Sequence, residues 1–309
     1  MMGSPILLKL FEHDEALARG VFRLIKQQEN RLTVNRPHSE VMAINHAAGR
    51  HPVAVSLPVY HLIKRAHRVS LLPGSAFNFA IGPLVKRWKI GFQGNSVPPE
   101  DEIRALLTLT RPDGITLDDD SHSVFLHQVG MEIDLGAIAK GWIADEVRDY
   151  LRQQQVDYGL INLGGNIQTL GHQTERCWGI GLKQPFAEDG ALIGVIKVMN
   201  RSVVTSGVYE RYFELDGRRY HHILDPRSGY PLDNELLSVT VISRESIDGD
   251  IWTTLLYGMG VENSLTYLAD TPQIEAIFVT RDRRVICSSQ RQFSFSLLDD
   301  SYLLQNATI

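Results

Sequence analysis

The chain has 309 residues, of which 43% are hydrophobic and 22% charged, and 31 basic against 36 acidic residues give a formal net charge of −5. This composition excludes a disordered chain and a general attraction to nucleic acid, although a local basic groove stays open. Two cysteines are too few for a disulfide framework or a cysteine-rich zinc site. At about 100–200 residues per domain, the length fits one large domain or two closely joined ones.

Apolar periodicity and β-rich runs predict a chain of mixed helices and strands. In chain order, the predicted elements are the strand Ile6–Leu10, the helices Glu15–Gln28, Leu57–Leu71 and Ala139–Arg152, the strands Gly159–Asn162, Ile193–Met199 and Ser238–Ser243, the helices Asp250–Gly258 and Asn263–Ala269, and the strand Ala276–Thr280. Because the strands concentrate in the second half, the pattern favours an α/β or α+β fold rather than a doubly wound one.

The first ten residues have no basic segment and only a short apolar run, which is unlike a signal peptide. No run reaches the ~18–20 apolar residues of a membrane helix. The sequence therefore predicts a cytoplasmic protein, with an exported form as the alternative if a leader has been removed.

Two glycine-containing clusters are candidates for binding an anion. Asp134–Trp142 leads through a glycine into a helix, where backbone N–H groups and the charge of Lys140 suit a phosphate. Asn162–Asn166 follows a strand, and its adjacent Gly164 and Gly165 allow close approach of a ligand to the backbone. The alternatives are an ordinary strand–helix turn and an ordinary Gly-Gly turn.

A third cluster comprises Ser206–Tyr212 and Tyr220–Pro231. We expect His222 to end a strand, with Asp225 near enough in sequence to orient its imidazole. Such a histidine can act as a general base or contact a phosphate. Side chains alternate along a strand, so His221 should point the other way. The alternative is a turn with incidental histidines.

The fourth cluster contains Asp250 and Thr254, which share one helix face if Asp250 opens the helix. A carboxylate and a hydroxyl suit Mg²⁺, which prefers oxygen ligands and phosphate co-ligands. The alternative is an aspartate that only caps the helix. Taken together, the four clusters suit phosphoryl transfer on a diphosphate ester.

The order and spacing of these clusters resemble the ApbE-type FAD:protein FMN transferases. Those enzymes split FAD at its diphosphate and attach FMN by a phosphodiester bond to a Thr or Ser hydroxyl of an acceptor protein, releasing AMP. Further markers of the resemblance are Ser39-Glu40 with Asn45, Ala76-Phe77-Asn78, and Gly82-Pro83-Leu84 with Trp88. The resemblance implies one compact T-fold-like domain over residues 1–309, with a mixed sheet and flanking helices. Its motifs cover about residues 2–280, and 281–309 would form a C-terminal strand or tail.

The resemblance also implies roles for individual residues. The side chains of Asp250 and Thr254 and the backbone carbonyl of Ala137 would bind Mg²⁺. His222 matches the family's functional histidine, a candidate base for the acceptor hydroxyl, with Asp225 beside it. The residues that would contact FAD are Met2, Asn35, Ala76, Phe77, Asn78, Lys140, Gly164, Gly165, Ser206, Gly207 and Leu232.

Two positions depart from the family pattern. Many members have Asp where this chain has Asn78, which keeps an acceptor oxygen and gains a donor. Many have Tyr where this chain has Asn35, and members with Asn there can hydrolyse FAD to FMN and AMP. Our hypothesis is that loss of a ring able to stack on the flavin lets water compete with the acceptor hydroxyl.

Two alternatives to the transferase therefore stay open. One is a Mg²⁺-dependent FAD diphosphatase, and the other is a non-catalytic flavin-binding protein. For the transferase, the expected partner is a cytoplasmic flavoprotein domain, such as one attached to a fumarate-reductase-like enzyme.

Overall fold

The computed structural model describes residues 3–171, 176–188 and 190–307. The helices are α1 Glu15–Leu32, α2 Glu40–His46, α3 Leu57–Ser70, α4 Gly82–Trp88, α5 Glu100–Leu107, α6 Ala139–Gln153 and α7 Ser246–Ala269. The strands are β1 Leu7–Leu10, β2 Val53–Ala54, β3 Ile115–Asp118, β4 Ser123–Leu126, β5 Gly159–Asn162, β6 Asn166–Leu170, β7 Trp178–Lys183, β8 Leu192–Val198, β9 Ser202–Gly207, β10 Tyr212–Leu215, β11 Arg218–His221, β12 Leu236–Ser243, β13 Glu275–Thr280, β14 Arg284–Cys287, β15 Ser294–Leu297 and β16 Leu303–Asn306.

The predicted elements are present, and one helix start differs from the prediction. The two predicted C-terminal helices belong to α7, which is broken at Gly260, whose φ of 74° and ψ of 177° are not helical. α7 begins at Ser246, so the prediction that Asp250 opens this helix is wrong. The N-terminal N–H groups of α7 are bound by the carboxylate of Asp145 from another helix, so no cap is needed at Asp250.

One compact unit, unit 1, comprises residues 1–26, 140–209 and 234–309. Its eight-stranded sheet has the order β1-β5-β6-β9-β12-β13-β14-β16 and is antiparallel except for the parallel pair β14–β16. α7 packs on β6, β9 and β12. A core cluster joins apolar residues of this sheet to those of a three-stranded sheet, β15-β8-β7. The predicted mixed α and β fold is confirmed.

The other compact unit, unit 2, comprises residues 27–139 and 210–233. It contains α2 to α5, the small sheet β2-β4-β3 and the hairpin β10–β11. Its core includes Trp88, Ile103 and Leu224, and the Trp88 indole donates a hydrogen bond of 2.8 Å to the Gly229 carbonyl. This contact anchors the turn that follows His222. The interpretation of residues 1–309 as a single domain stays a prediction.

No helix within the described ranges combines the length and the apolar character needed to cross a lipid bilayer.

The two cysteines are both free, and they differ in environment. Cys287 lies on β14 and is fully buried, and burial, with a smaller effect of the Glu275 charge, raises the pKa of its thiol to about 12. Cys177 is exposed. Because the thiolate is the reactive form, the folded protein should react at Cys177 alone.

This expectation can be tested by titrating the native protein with a chromogenic disulfide reagent. One thiol should react rapidly, and the second should react only after unfolding. The variant Cys177→Ser should lose the rapid phase, whereas Cys287→Ser should retain it. A rapid reaction of both thiols in the folded wild-type protein would contradict the assignment.

Candidate functional site

The N-terminal turns of α6 and α7 touch through their backbones in unit 1. A Cβ atom on Gly141 would lie 2.5 Å from the carbonyl oxygen of Ser246 and 2.6 Å from the Cα atom of Ile247. No side chain fits in this space, so only glycine permits the approach. Gly141, the second glycine of the predicted anion-binding cluster Asp134–Trp142, therefore allows the two helix N-termini to meet.

Each of these helices supplies a carboxylate to the first turn of the other. Asp145 of α6 accepts hydrogen bonds from the N–H groups of Ser246 at 2.7 Å and Ile247 at 2.9 Å. In return, Asp250 of α7 accepts a hydrogen bond from the N–H of Gly141. First-turn N–H groups have no partner within their own helix, and negative charge is favourable there. The two carboxylates therefore provide hydrogen-bond acceptors for first-turn N–H groups of both helices.

The Asp250 carboxylate is buried, with only 9% of the residue exposed. Its other oxygen accepts a hydrogen bond of 3.0 Å from the side-chain amide of Asn166. Burial raises the pKa of Asp250 to about 7, against the opposing effects of the Gly141 N–H, Asn166 and Lys140. These three groups therefore compensate only part of the cost of burying the Asp250 carboxylate in its charged form. A bound cation would offset the remainder.

Arg148 forms ion pairs with Asp145 and with two further carboxylates. Its guanidinium is almost fully buried and contacts Asp145 at 2.9 Å, Asp149 at 2.8 Å and Glu245 at 2.8 Å. Burial raises the pKa of Asp145 to about 6, although the two N–H groups of α7 and Arg148 act in the opposite direction. Glu245, the N-cap residue of α7, offers that helix no side-chain hydrogen bond. Asp145 takes over that capping role.

The turn after β5 presents backbone groups beside Lys140. The Asn162 side-chain oxygen accepts hydrogen bonds from the N–H groups of Gly164 at 2.9 Å and Gly165 at 3.1 Å. Both glycines have positive φ, 73° and 89°, which disfavours any other residue. The Lys140 ammonium donates to the Gly164 carbonyl at 3.1 Å and to the Ser4 hydroxyl at 3.3 Å. Two of the predicted clusters therefore meet at one place.

Hydroxyl groups connect β9 to the same part of α7. Ser206, which precedes the terminal Gly207 of β9, donates to the Thr253 hydroxyl at 2.9 Å. Thr253 donates at 3.1 Å, and Thr254 at 3.4 Å, to the backbone carbonyl of Asp250. The predicted pair Asp250 and Thr254 does share one helix face, with Thr254 the less buried of the two threonines.

In unit 2, the segment of residues 76–78 has a well-defined structure. Ala76 and Phe77 are buried. Asn78 donates from its side-chain amide to the Thr110 carbonyl at 2.8 Å and accepts from the Ala80 N–H at 2.8 Å. An aspartate at this position could not donate to that carbonyl. The departure at Asn78 therefore has a structural consequence within this chain.

The two adjacent histidines of unit 2 have different environments, and β11 ends at His221, one residue before the predicted strand end at His222. His221 is buried, with its ring nitrogens 2.7 Å from the Leu232 carbonyl and 3.3 Å from the Ile223 N–H. His222 is less buried, and its Nδ1 atom lies 3.2 Å from the Arg211 carbonyl. A neutral His222 that donates from Nδ1 carries its acceptor lone pair on Nε2, as a general base requires.

The Asp225 carboxylate accepts hydrogen bonds of 3.0 Å from both the backbone N–H and the guanidinium of Arg227. That the carboxylate orients His222 stays a prediction.

The remaining predicted residues lie in loops or outside the described structure. Asn35 is exposed in the segment between α1 and α2, and Leu232 is buried beside His221. Ala137 is exposed in the loop before α6, where the Asp134 carboxylate accepts from the Gly136 N–H at 2.7 Å. Met2 falls outside the described residues.

Sequence reasoning missed three polar residues that organise unit 1, namely Asp145, Arg148 and Asn166. Asp145 and Arg148 sit among the buried residues of α6, so two charges on the apolar face of a helix were an available signal. Asn166 stands directly after two glycines, a position that predicts only a turn. Its contact with Asp250, 84 residues away, had no local signal.

The kinds of ligand atom around Asp250 determine which metal ion could bind beside this carboxylate. Among the residues that the structure describes, no three His, Cys, Asp or Glu side chains are grouped as metal ligands would be. A cation at Asp250 would therefore depend on one carboxylate, neutral oxygens such as the Thr254 hydroxyl, water and substrate. That environment fits Mg²⁺, which keeps several waters and binds through one or two carboxylates and substrate phosphates.

Comparison with known proteins agrees with the predicted resemblance. The model of the ApbE family matches residues 2–278. A FAD:protein FMN transferase of Klebsiella pneumoniae (strain 342) is 63% identical over 308 residues, covering 100% of this chain and 96% of the relative. A FAD:protein FMN transferase of Treponema pallidum (strain Nichols) is 38% identical, covering 92% and 83% of the two chains. The chain belongs to the ApbE family.

Solved structures of the same family have the same fold. The ApbE protein of Thermotoga maritima aligns with a TM-score of 0.81 at 29% identity, covering 96% of this chain and 94% of the other. The flavin transferase ApbE of Vibrio cholerae aligns with a TM-score of 0.80 at 27% identity, covering 98% and 96%.

Asp145 and Asp149 form a matched pair for testing the helix junction, because both contact Arg148 from the same helix. Asp145→Asn should lower the free energy of unfolding by about 2–4 kcal/mol, because an amide has only one acceptor oxygen for the two buried N–H groups of α7 and the buried guanidinium loses one of its three carboxylate partners. Asp149→Asn should cost only about 0–1 kcal/mol, because that carboxylate is half exposed.

Denaturant unfolding of both variants beside the wild-type protein measures the difference. Equal losses for the two variants would mean that Asp145 does no more than pair with Arg148.

Proposed function

We propose that the protein transfers FMN from FAD to a Thr or Ser hydroxyl of an acceptor protein and releases AMP. The observation that carries this proposal is the 63% identity, over the whole chain, to a protein named FAD:protein FMN transferase. The buried Asp250 carboxylate with Thr254 on the same helix face supports it independently, since a diphosphate substrate needs a cation nearby.

The proposed transfer is a substitution at phosphorus. The acceptor hydroxyl oxygen forms a bond to the FMN-side phosphorus, the bond from that phosphorus to the bridging oxygen breaks, and AMP leaves with that oxygen. The hydroxyl proton passes to Nε2 of His222, which can accept it because Nδ1 faces the Arg211 carbonyl. Lys140 would contact the negatively charged diphosphate, and the absence of side chains at Gly164 and Gly165 would let the diphosphate approach the backbone beside it.

We propose Mg²⁺ as the metal, held by the side chains of Asp250 and Thr254 and the backbone carbonyl of Ala137. When bound, Mg²⁺ would neutralise phosphate charge. The protein would hold the ligand oxygens in a fixed arrangement. For the Asp250 carboxylate, the hydrogen bonds from the Gly141 N–H and the Asn166 amide fix the positions of both oxygens.

The proposed activity is tested by incubating the protein with FAD, Mg²⁺ and candidate acceptor domains that carry a target threonine. The expected result is a flavin-fluorescent acceptor that survives denaturing electrophoresis, together with one AMP for each flavin attached. Changing the target threonine to valine should abolish labelling. Failure to label any acceptor, with no AMP formed, would contradict the proposal.

Asp250→Asn should reduce AMP release by about 10²-fold or more, because the site loses its charge without changing its shape. Glu262→Gln is the matched control, since it removes an exposed carboxylate from the same helix and should leave the rate unchanged. Melting curves would show whether Asp250→Asn stays folded. Full activity of a folded Asp250→Asn variant would overturn the metal assignment.

A second candidate function is hydrolysis of FAD to FMN and AMP, with water replacing the acceptor hydroxyl. The observation that favours it is the exposed Asn35, at a position where many family members carry tyrosine. AMP formation without any acceptor would reveal this activity.

Asn35→Tyr should lower acceptor-independent AMP release, because an added ring would shield the diphosphate from water. Asn35→Ala should not lower it, since alanine supplies no ring. Chromatographic measurement of AMP without acceptor separates the two outcomes. Equal rates for Asn35→Tyr and the wild-type protein would refute this role of Asn35.

We propose that the acceptor is a flavoprotein domain in the cytoplasm, which agrees with the two free cysteines. Fractionation of cells expressing the protein at native level would test the compartment.

A further inference from the structure

Four buried polar side chains of unit 1 form a continuous hydrogen-bonded chain that ends at Asp250. Ser202 of β9 donates to the Ser246 hydroxyl at 2.9 Å, and Ser246 donates to the Asn166 side-chain oxygen at 2.6 Å. The Asn166 amide nitrogen then donates to Asp250 at 3.0 Å. Ser202, Ser246 and Asn166 are at most 1% exposed, so water does not compete for these bonds. The chain connects β9, β6 and the start of α7.

The direction of the bonds in this chain determines the orientation of the Asn166 amide. The Ser246 hydroxyl accepts a hydrogen bond from Ser202, so it donates its own O–H to the Asn166 side-chain oxygen. The Asn166 oxygen therefore faces Ser246, and its NH₂ group faces Asp250. A reversed amide would place two oxygens against each other at Asp250, which is unfavourable for a carboxylate.

The two oxygens of Asp250 are thus held by donors from two different elements. Asn166 at the start of β6 holds one oxygen, and the Gly141 N–H in the first turn of α6 holds the other. Each carboxylate oxygen has a second lone pair that can accept a further partner. The plane of the carboxylate is therefore set by the fold before any cation arrives.

We infer that Asn166 is a positioning residue for the metal site, and that the Ser202–Ser246 pair orients its amide for this task. This inference rests on the proposed role of Asp250 as a metal ligand. Asn166 acts through Asp250, so its removal lowers the affinity for the divalent cation. Second-sphere hydrogen bonds of this kind commonly change metal affinity about 10–100-fold.

A purely structural role for Asn166 predicts a different result. In that case the amide only satisfies buried polar groups, and its loss lowers stability without changing the cation affinity of the folded protein. Metal affinity, measured on protein shown to be folded, therefore distinguishes the two roles.

The experiment measures Mn²⁺ binding by electron paramagnetic resonance, with Mn²⁺ as an oxygen-ligated substitute for Mg²⁺. Wild-type protein should bind Mn²⁺, and Asn166→Ala should raise the dissociation constant about 10-fold. Ser246→Ala should produce a smaller rise, because the amide stays but its orientation is no longer enforced. This second variant also keeps the test decisive if Asn166→Ala fails to fold.

Gln168→Leu is the matched control. Gln168 is a fully buried amide two residues along β6, and its side-chain nitrogen donates to the Thr169 carbonyl. Its side-chain oxygen has no hydrogen-bond partner, so leucine should be well tolerated and Mn²⁺ binding unchanged.

Three results would overturn the inference. They are unchanged Mn²⁺ affinity in folded Asn166→Ala, unchanged affinity in Ser246→Ala when Asn166→Ala does not fold, and absence of Mn²⁺ binding by the wild-type protein. Failure of the proposed function is distinguishable from these results. A wild-type protein whose Mn²⁺ binding depends on Asn166, but which never releases AMP from FAD, would refute the transferase and retain the positioning role.

Discussion

The exchange of carboxylates between the N-termini of α6 and α7 is the interaction on which the site of unit 1 depends. Asp145 caps α7, Asp250 accepts from the first turn of α6, and Gly141 allows the two backbones to meet. A shift of either helix would break hydrogen bonds at both helix starts. The carboxylate proposed to bind a metal is thus also part of the packing of two helices.

This arrangement makes a net charge of −5 compatible with the proposed site for a negatively charged diphosphate. Recognition of the proposed substrate would depend on local charges rather than on the net charge. Lys140 lies at the glycine turn after β5, and Asp250 carries a buried charge that its hydrogen bonds only partly compensate. A divalent cation would reverse the sign of the local field without any change elsewhere.

In unit 2, polar side chains at positions that the family resemblance assigns to FAD form hydrogen bonds with the protein backbone. Asn78 bridges the Thr110 carbonyl and the Ala80 N–H, and the donor it has gained over aspartate is the group that reaches Thr110. His222 follows directly after the hairpin β10–β11, and its turn is anchored to the core through Trp88. Substitutions in this unit can therefore alter stability and binding together, and stability should be measured beside each rate.

The sequence by itself determined the helix Leu57–Ser70 almost to the residue, the strands β5, β12 and β13 and the order of the motifs, because periodicity, prolines and glycines act over a few neighbouring residues. The strands β6 and β9, which lie between β5 and β12 in the sheet, were not predicted. Only the tertiary structure decided where α7 begins, since its cap, Asp145, lies about a hundred residues earlier in the chain. The same holds for Asn166, whose amide orientation depends on hydroxyl groups from two distant elements. Local patterns predict elements and chemistry, whereas the partners of buried polar groups are determined by contacts between residues far apart in sequence.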